Sequence, residues 1–376
     1  MKKPRKKTAP RRDLLALSMI VKDEARTIAR TLASVRPFID RWTIVDTGST
    51  DDTREIVERE LAGVPGRLEE APFVDFETTR NLALSKCGDG AEFILWLDAD
   101  DELVGGAELR AFLEGERGAT EPEREAYLLR VDTVVSFDST RVLRSGAGWR
   151  FKGVVHEVLT HPDRRPPTRR IPGASILHHP DPQAIARSHA RRERDLALLG
   201  EALRRDPSDA RSAFYLAMTN LWIGRFDDAA SAFRRRIELG GWAEEVFLSK
   251  MGLADAADGR GDPWNEVLAL YLDAYAFAPH RAEPLHKIAL RYNARGEHAL
   301  CLVFARRALD LPYPERDVHF VDADVYTWKL HDLVGTSAYW VGEWELGERS
   351  ARAAHERRPD DARLARNLSY YLERKK

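Results

Sequence analysis

The sequence predicts an α/β domain built on a mostly parallel sheet, followed by an all-α domain of helical repeats. Three observations predict it. Between residues 14 and about 103, short apolar runs alternate with segments of helical apolar spacing, the pattern of β-α-β units. Each of the three clearest apolar runs ends in carboxylates: Asp23-Glu24, Asp46 and Asp98-Ala99-Asp100-Asp101. After about residue 180 strand signals stop, and helix pairs joined by Gly-containing turns recur.

Residues 14–21 form the first predicted strand. Residues 25–35 follow as a helix, with Ile28, Leu32 and Val35 on one face. Residues 42–45 are a second strand, ending at Asp46-Thr47-Gly48-Ser49-Thr50-Asp51-Asp52. Residues 53–61 are a helix, with Thr50 or Asp51 as its expected cap. Residues 76–85 are a helix carrying Arg80-Asn81. Residues 93–97, Phe-Ile-Leu-Trp-Leu, are a continuous apolar run, as expected of a parallel strand buried on both faces. Residues 127–135, 141–143 and 154–159 read as later strands, and Arg164-Arg165-Pro166-Pro167 as a loop. The expected divisions are a basic arm over 1–12, the α/β domain over 13–182, a linker helix over 183–204 and helical repeats over 205–376.

In the repeats, Ala213-Phe214-Tyr215-Leu216-Ala217 leads to Gly224 and Phe226. Ile288-Ala289-Leu290 leads to Gly296, and Ala338-Tyr339-Trp340 to Gly342. Gly224 and Gly296 lie 72 positions apart, close to two tetratricopeptide units of ~34 residues. The unit between them is degenerate and passes through Gly259. About four irregular helix pairs are expected. Trp222, Trp264, Trp328 and Trp340 are read as core.

The chain has 376 residues, 43% of them hydrophobic, and a net charge of −2. That length fits two domains of ordinary size, and the charge gives no general case for nucleic acid or an anionic membrane. Residues 1–12 hold seven Lys/Arg and no acid, without the apolar stretch of a signal peptide, and read as a solvated tail. No segment approaches the roughly 18 apolar residues of a membrane span. The two cysteines, Cys87 and Cys301, build no disulfide framework and fit a reducing cytoplasm.

Carboxylates at strand C-terminal ends lie where open α/β sheets bind ligands. Crowding them there is costly unless a cation neutralises them. Asp98 and Asp100 point the same way if strand geometry persists, so both can face one Mg²⁺ or Mn²⁺ together with substrate phosphates. Glu24 and Asp46 can hydrogen-bond ribose hydroxyls or a base edge, and Arg80 can pair with a diphosphate. A nucleotidyltransferase shares such a crevice, but it places a Gly-rich basic loop where this chain has Lys22-Asp23-Glu24.

Four motifs in order resemble the family 2 glycosyltransferases with a GT-A fold: Met19-Ile20-Val21-Lys22-Asp23-Glu24, residues 45–53, Arg80-Asn81 and Leu97-Asp98-Ala99-Asp100-Asp101. The resemblance covers roughly residues 14–180. It implies that Asp46 contacts the uracil or ribose of a nucleotide sugar. It also implies that Asp98 and Asp100 hold a divalent metal on the diphosphate, and that Arg80 and Asn81 lie near the nucleotide. Asp23 stands where many relatives have Asn, and Asp101 where close relatives often have Glu. Gly153-Val154-Val155-His156-Glu157 is similar to the subfamily that joins a compact GT-A domain to tetratricopeptide repeats, which includes peptide S-glycosyltransferases. There His156 is expected as a third metal ligand and Glu157 near the acceptor. His178-His179-Pro180-Asp181 reads as a domain-junction turn, with a second metal site as the alternative. Arg191, Arg192 and Arg194 read as a solvated helix face.

The expected reaction is therefore metal-dependent transfer of a sugar from a nucleotide-diphosphate donor, a UDP-sugar in the first place. The resemblance implies inversion. Asp101 and Glu157 are the two candidate bases for an acceptor hydroxyl; a thiol acceptor needs less help. The repeats favour a peptide or protein acceptor or partner. One alternative is transfer to a glycan or lipid-linked saccharide in envelope assembly. Another is a repeat scaffold whose transferase domain is inactive.

Overall fold

In the computed structural model, residues 12–133, 137–163, 169–179 and 182–374 are described, with side chains of the last stretch from residue 191 onward. The basic arm up to residue 11, the last two positions of the expected 127–135 strand, the 164–167 loop and Pro180-Asp181 lie outside them. The chain divides into two compact units, Met1–Ala202 and Leu203–Lys376.

The first unit opens with β1 (Asp13–Val21), α1 (Ile28–Val35), β2 (Arg41–Asp46), α2 (Thr53–Glu60), β3 (Gly66–Glu70), α3 (Phe76–Cys87) and β4 (Ala91–Trp96). It continues with β5 (Asp101–Val104), α4 (Gly106–Gly115), β6 (Ala126–Asp132), β7 (Phe137–Arg144), β8 (Arg150–Lys152), β9 (Val158–Thr160), β10 (Arg170–His178) and α5 (Pro182–Arg205). Eight strands make one sheet in the order β3-β2-β1-β4-β7-β6-β10-β5. The β3-β2-β1-β4 half is parallel throughout. Beyond it β7 is antiparallel to β4 and β6, and β10 is parallel to β6. The edge strand β5 runs antiparallel to β10. β8 and β9 pair separately.

The apolar runs explain the central strands. Leu15, Leu17 and Met19 of β1, with Phe93 and Leu95 of β4, pack in one core with α1, α2 and α4. The alternate residues Ala16, Ile94 and Trp96 pack on the other face with Cys87 of α3 and Phe151 of β8. Burial on both faces is what a continuous apolar strand requires. The expected 154–159 strand is shorter: residues 154–156 form a bend, and pairing begins at Val158.

The second unit is helical throughout. It consists of α6 (Ala210–Trp222), α7 (Phe226–Leu239), α8 (Ala243–Arg260), α9 (Trp264–Phe277), α10 (Glu283–Ala294), α11 (His298–Leu309), α12 (Leu330–Val341), α13 (Trp344–Arg357) and α14 (Ala362–Arg374). Successive pairs turn at Gly224, Gly261, Gly296 and Gly342, all at positive φ, the conformation glycine alone adopts without a Cβ penalty. Gly259 lies inside α8 instead, packed against Phe226, so Gly261 makes that turn. Small residues such as Ala217, Ala229, Ala230 and Ala256 let helices approach closely. Trp222 and Trp340 are exposed, contrary to their reading as core. Between α11 and α12 run a connection over 310–324 and one π-helical turn, Val325–Lys329.

Candidate active site

The C-terminal ends of β1, β2 and β4 carry the acidic residues, and two turns tie the first two ends together. Asp23, at φ 54, accepts from the Thr50 amide at 2.7 Å, and its own amide donates to Ser49 Oγ at 3.0 Å. The Glu24 amide donates to Thr53 Oγ1 at 2.7 Å, and Asp51 accepts from the Ala25 and Thr53 amides. Asp52, not Thr50 or Asp51, is the N-cap residue of α2. Asp23 and Asp51 are thus structural ties. The Glu24 carboxylate accepts from Thr27 Oγ1 at 3.0 Å.

Asp46 is 1% exposed. Its Oδ1 accepts from the Gly48 and Ser49 amides at 2.9 and 2.8 Å, an Asx turn that requires Gly48 at φ 100. Its Oδ2 is buried without a hydrogen bond; Arg54 Nε stands 3.7 Å away. An unsatisfied buried carboxylate oxygen is costly and is the group a ribose hydroxyl or base N–H would satisfy.

Arg80 of α3 is buried and donates to both Asp98 and Glu157. Its guanidinium lies 4.7 Å from the centroid of the Trp96 ring. Asp98 is held from the other side by Arg141 of β7, whose Nη1 lies 3.5 Å from Asp98 Oδ2 and 3.0 Å from Asp101 Oδ2. Arg141 is itself 5% exposed and sits 3.9 Å over the same Trp96 ring. Asp101 Oδ1 pairs with His178 Nδ1 at 3.0 Å, and Asp100 Oδ1 lies 3.6 Å from that nitrogen. Glu157, Arg80, Asp98, Arg141, Asp101, His178 and Asp100 therefore form one chain of alternating charge.

That order sets the protonation preferences. Burial pushes the Asp98 carboxyl up, but Arg80 and Arg141 outweigh it and hold it well below the usual carboxylate range. Burial raises Asp100 to about 6, with His178 opposing and Asp98 and Asp101 reinforcing the shift. Burial also raises Glu157, against the pull of Arg80. The bond to Asp101 raises His178 despite its burial. Burial disfavours the Arg80 charge, yet Asp98 and Glu157 raise its pKa further.

Helix α3 fixes the bend that carries His156 and Glu157. Asp75 caps it, accepting from the Thr78 amide at 2.6 Å. Asn81 bonds both the N–H and the C=O of Phe151, at 2.8 and 2.9 Å. Glu77 accepts from the Gly153 amide at 2.7 Å, and the Phe76 amide donates to the Val154 carbonyl at 3.3 Å. Asn81 is thus committed to backbone rather than turned to a nucleotide. From α1, Thr31 Oγ1 donates to the Ala99 carbonyl at 2.8 Å, anchoring the acidic turn.

Among the described residues, the side chains that can converge on one cation are Asp100, Asp101 and His178, with ligand atoms within 4.8 Å of one another. The motifs pointed to Asp98 and Asp100, and the family resemblance added His156. Asp98 is instead committed to two arginines, and His156 is exposed at φ 51 in the bend, outside that group. The stretch read as a domain-junction turn supplies His178 because β10 pairs with β5 in a register that sets His178 opposite Asp101. Asp101 is wholly buried with both oxygens engaged, so it has no free side for an acceptor proton. Arg141 and Trp96 also escaped the sequence reading; an arginine in a strand carries no local signal of what it faces. Of the helix arginines, Arg194 stacks 4.5 Å over Phe73.

Residues 17–114 match the family model described as Glycosyl transferase family 2. A TPR repeat-containing protein of Synechococcus elongatus is 34% identical over 150 residues, covering 39% of this chain and 35% of that protein. The prophage-derived glycosyltransferase SunS of Bacillus subtilis is 22% identical over 234 residues, covering 59% of this chain and 53% of its own. The chain thus spans about a third to a half of these relatives. The crystal structure of MamA aligns at 17% identity with a TM-score of 0.37, covering 49% of this chain and 99% of MamA.

Proposed function

With a family 2 glycosyltransferase domain in its first unit, we propose that this protein transfers a sugar from a nucleotide-diphosphate donor, a UDP-sugar in the first place, to an acceptor nucleophile with inversion. The observation that carries the reading is the Asp100–Asp101–His178 group, joined through Arg141 and Asp98 to Arg80.

In this reading Asp46 Oδ2 takes the ribose or base edge of the donor. Asp100 and His178 would hold Mn²⁺ or Mg²⁺, with Asp101 orienting His178 from behind. Such a cation, when bound, supplies Lewis-acid stabilisation of the departing diphosphate. Arg80 adds a fixed positive charge in a partly dry site, where it acts more strongly than in water. Glu157 is the base for an acceptor hydroxyl: burial raises its pKa against the pull of Arg80, which makes it a better proton acceptor than an exposed carboxylate. Asp101 is reassigned from that role to positioning. A peptide or protein acceptor is preferred, supported by the helical repeats. The buried free thiols of Cys87 and Cys301 fit a reducing, cytoplasmic setting. No described helix is long and apolar enough to cross a membrane.

The deciding experiment measures nucleoside diphosphate release from a panel of nucleotide sugars, with Mn²⁺ or EDTA, for the full chain and for His178→Ala and His156→Ala. Metal-dependent release that His178→Ala abolishes and His156→Ala retains supports this assignment. The opposite result restores the Asp98, Asp100 and His156 set. Calorimetry showing no nucleotide binding with or without Mn²⁺ would favour an inactive scaffold.

A further inference from the structure

Among the described residues four arginines are buried, and they are of two kinds: Arg236 and Arg281, Arg80 and Arg141. Arg236 donates to the Gly240 carbonyl at 2.6 Å as well as to Glu245. Arg281 donates to the Phe320 carbonyl at 3.2 Å as well as to Glu283. Sharing between backbone carbonyls and carboxylates helps a buried arginine use its five donors. Arg80 and Arg141 engage carboxylates alone among the described residues, and Arg141 Nε is buried with no hydrogen bond. The strand does not force this on Arg141. Arg144, three residues further along β7, donates to the Arg124 and Glu116 carbonyls as well as to Glu92.

Trp96 is the platform that holds Arg141. Its Nε1 donates at 2.8 Å to the carbonyl of Thr140, the residue before Arg141, and its ring meets Phe151 edge-on at 5.1 Å. The Arg141 guanidinium lies 3.9 Å over that fixed ring, a favourable cation–π arrangement that offsets part of the cost of the unbonded Nε.

From there Arg141 Nη1 faces one oxygen of Asp98 and one of Asp101. Arg80 takes the other Asp98 oxygen, and His178 the other Asp101 oxygen. The Asp98 amide adds a bond to Asp101 Oδ2 at 3.0 Å. All four oxygens of these two carboxylates therefore face a donor. Asp100 has no arginine among the described residues; its neighbour is His178, 3.6 Å away. Of the three acids in the turn, Asp100 alone keeps its charge available to an incoming cation.

We infer that Arg141 is a positioning residue: its charge holds Asp98 and Asp101 and so reserves the divalent cation for Asp100 and His178. This role rests on the cation assignment of the proposed function, and adds to it the residue that keeps Asp98 off the ion. Two effects of opposite sign follow. Without Arg141 the acidic turn carries one more uncompensated negative charge and Asp98 Oδ2 is released, so a cation binds more tightly. The same release lets Asp98 compete with Glu157 for Arg80, so turnover falls. Loss of a residue that only filled space would weaken both.

The test titrates Mn²⁺ into the full-length protein without nucleotide, following the free ion by electron paramagnetic resonance, for the parent, Arg141→Met, Arg141→Lys and Asp100→Asn. Arg141→Met should bind Mn²⁺ about tenfold more tightly or better. Arg141→Lys keeps a point charge but loses the planar fork, and should lie between, about threefold tighter than the parent. In nucleoside diphosphate release, kcat should fall about tenfold or more in Arg141→Met, as misplacement of reacting groups does, and recover in part in Arg141→Lys. Unchanged or weaker Mn²⁺ binding in Arg141→Met, or tighter binding with undiminished kcat, would overturn the role. If Arg141→Met does not fold by circular dichroism, Arg141→Lys decides: tighter Mn²⁺ binding supports the role, and parent-like affinity overturns it. Mn²⁺ binding that survives Asp100→Asn would overturn the cation assignment itself. No release from any donor by the parent would overturn the transfer reading, and the Mn²⁺ titrations alone would then decide Arg141.

Discussion

Asp100 lies beside Asp98 and Asp101, with His178 as its favourable neighbour, and burial lifts its carboxyl to about 6. Between about pH 4 and 6 the folded protein therefore retains a proton that the unfolded chain releases. Stability falls as pH rises through that window and stays reduced above it. Asp100→Asn should be more stable than the parent at pH 7 in EDTA, by on the order of 1–2 kcal/mol, with the difference closing near pH 4. Added Mn²⁺ should reverse the ranking, because only the parent gains binding energy from the ion; urea titrations at the two pH values measure both effects. Arg80→Met leaves Asp98 and Glu157 without their shared cation and should cost about 3 kcal/mol or more. Arg80→Lys keeps the charge but loses the fork that bridges two carboxylates, so it should fold with greatly reduced turnover. Glu157→Gln should lower turnover roughly 10²-fold or more while donor binding persists. A loss of donor binding instead would make Glu157 only the anchor of Arg80.

At the level of elements, α3 is the part that holds the bend and the donor side together. Asn81→Ala removes both bonds to the Phe151 backbone. It should cost about 1–3 kcal/mol and raise hydrogen exchange over residues 150–157; unchanged exchange there would show that the other α3 contacts suffice. The central strands β1, β2 and β4 were legible because an apolar run buried on both faces leaves a strong trace. β3 was not: Gly-Arg-Leu-Glu-Glu has one apolar residue and becomes a strand only as the edge partner of β2. β5 was hidden for a related reason, since its first residue is one of the acids of the motif. The motif residues themselves were legible, but their partners were not. Arg141 and His178 enter through strand pairing, which local sequence does not state.

Across the whole molecule, the two compact units differ in how their sequences announce them. The helical unit showed itself through a spacing of Gly turns, which survives even where one pair is degenerate. Such stacked pairs contact mainly their neighbours, so damage stays local. A Cβ added at Gly252 would fall 2.2 Å from the Phe233 ring, and Gly252→Ala should destabilise that pair by about 1–3 kcal/mol. Exchange should rise over α7 and α8 and not over α13 and α14. In the α/β unit the damage would travel differently, because β10 reaches the acidic turn through its pairing with β5. His178 faces Asp101, and Leu177 pairs with Glu102 on the opposite face. Between the irregular register near Ser175 and His178, inserting or deleting one residue would bring a neighbour of His178 opposite Asp101 and turn the His178 side chain to the other face of the sheet. Two residues would preserve the facing. Length changes in this strand are therefore constrained by parity, and a chimera that grafts β10 must match odd and even positions before it matches any side chain.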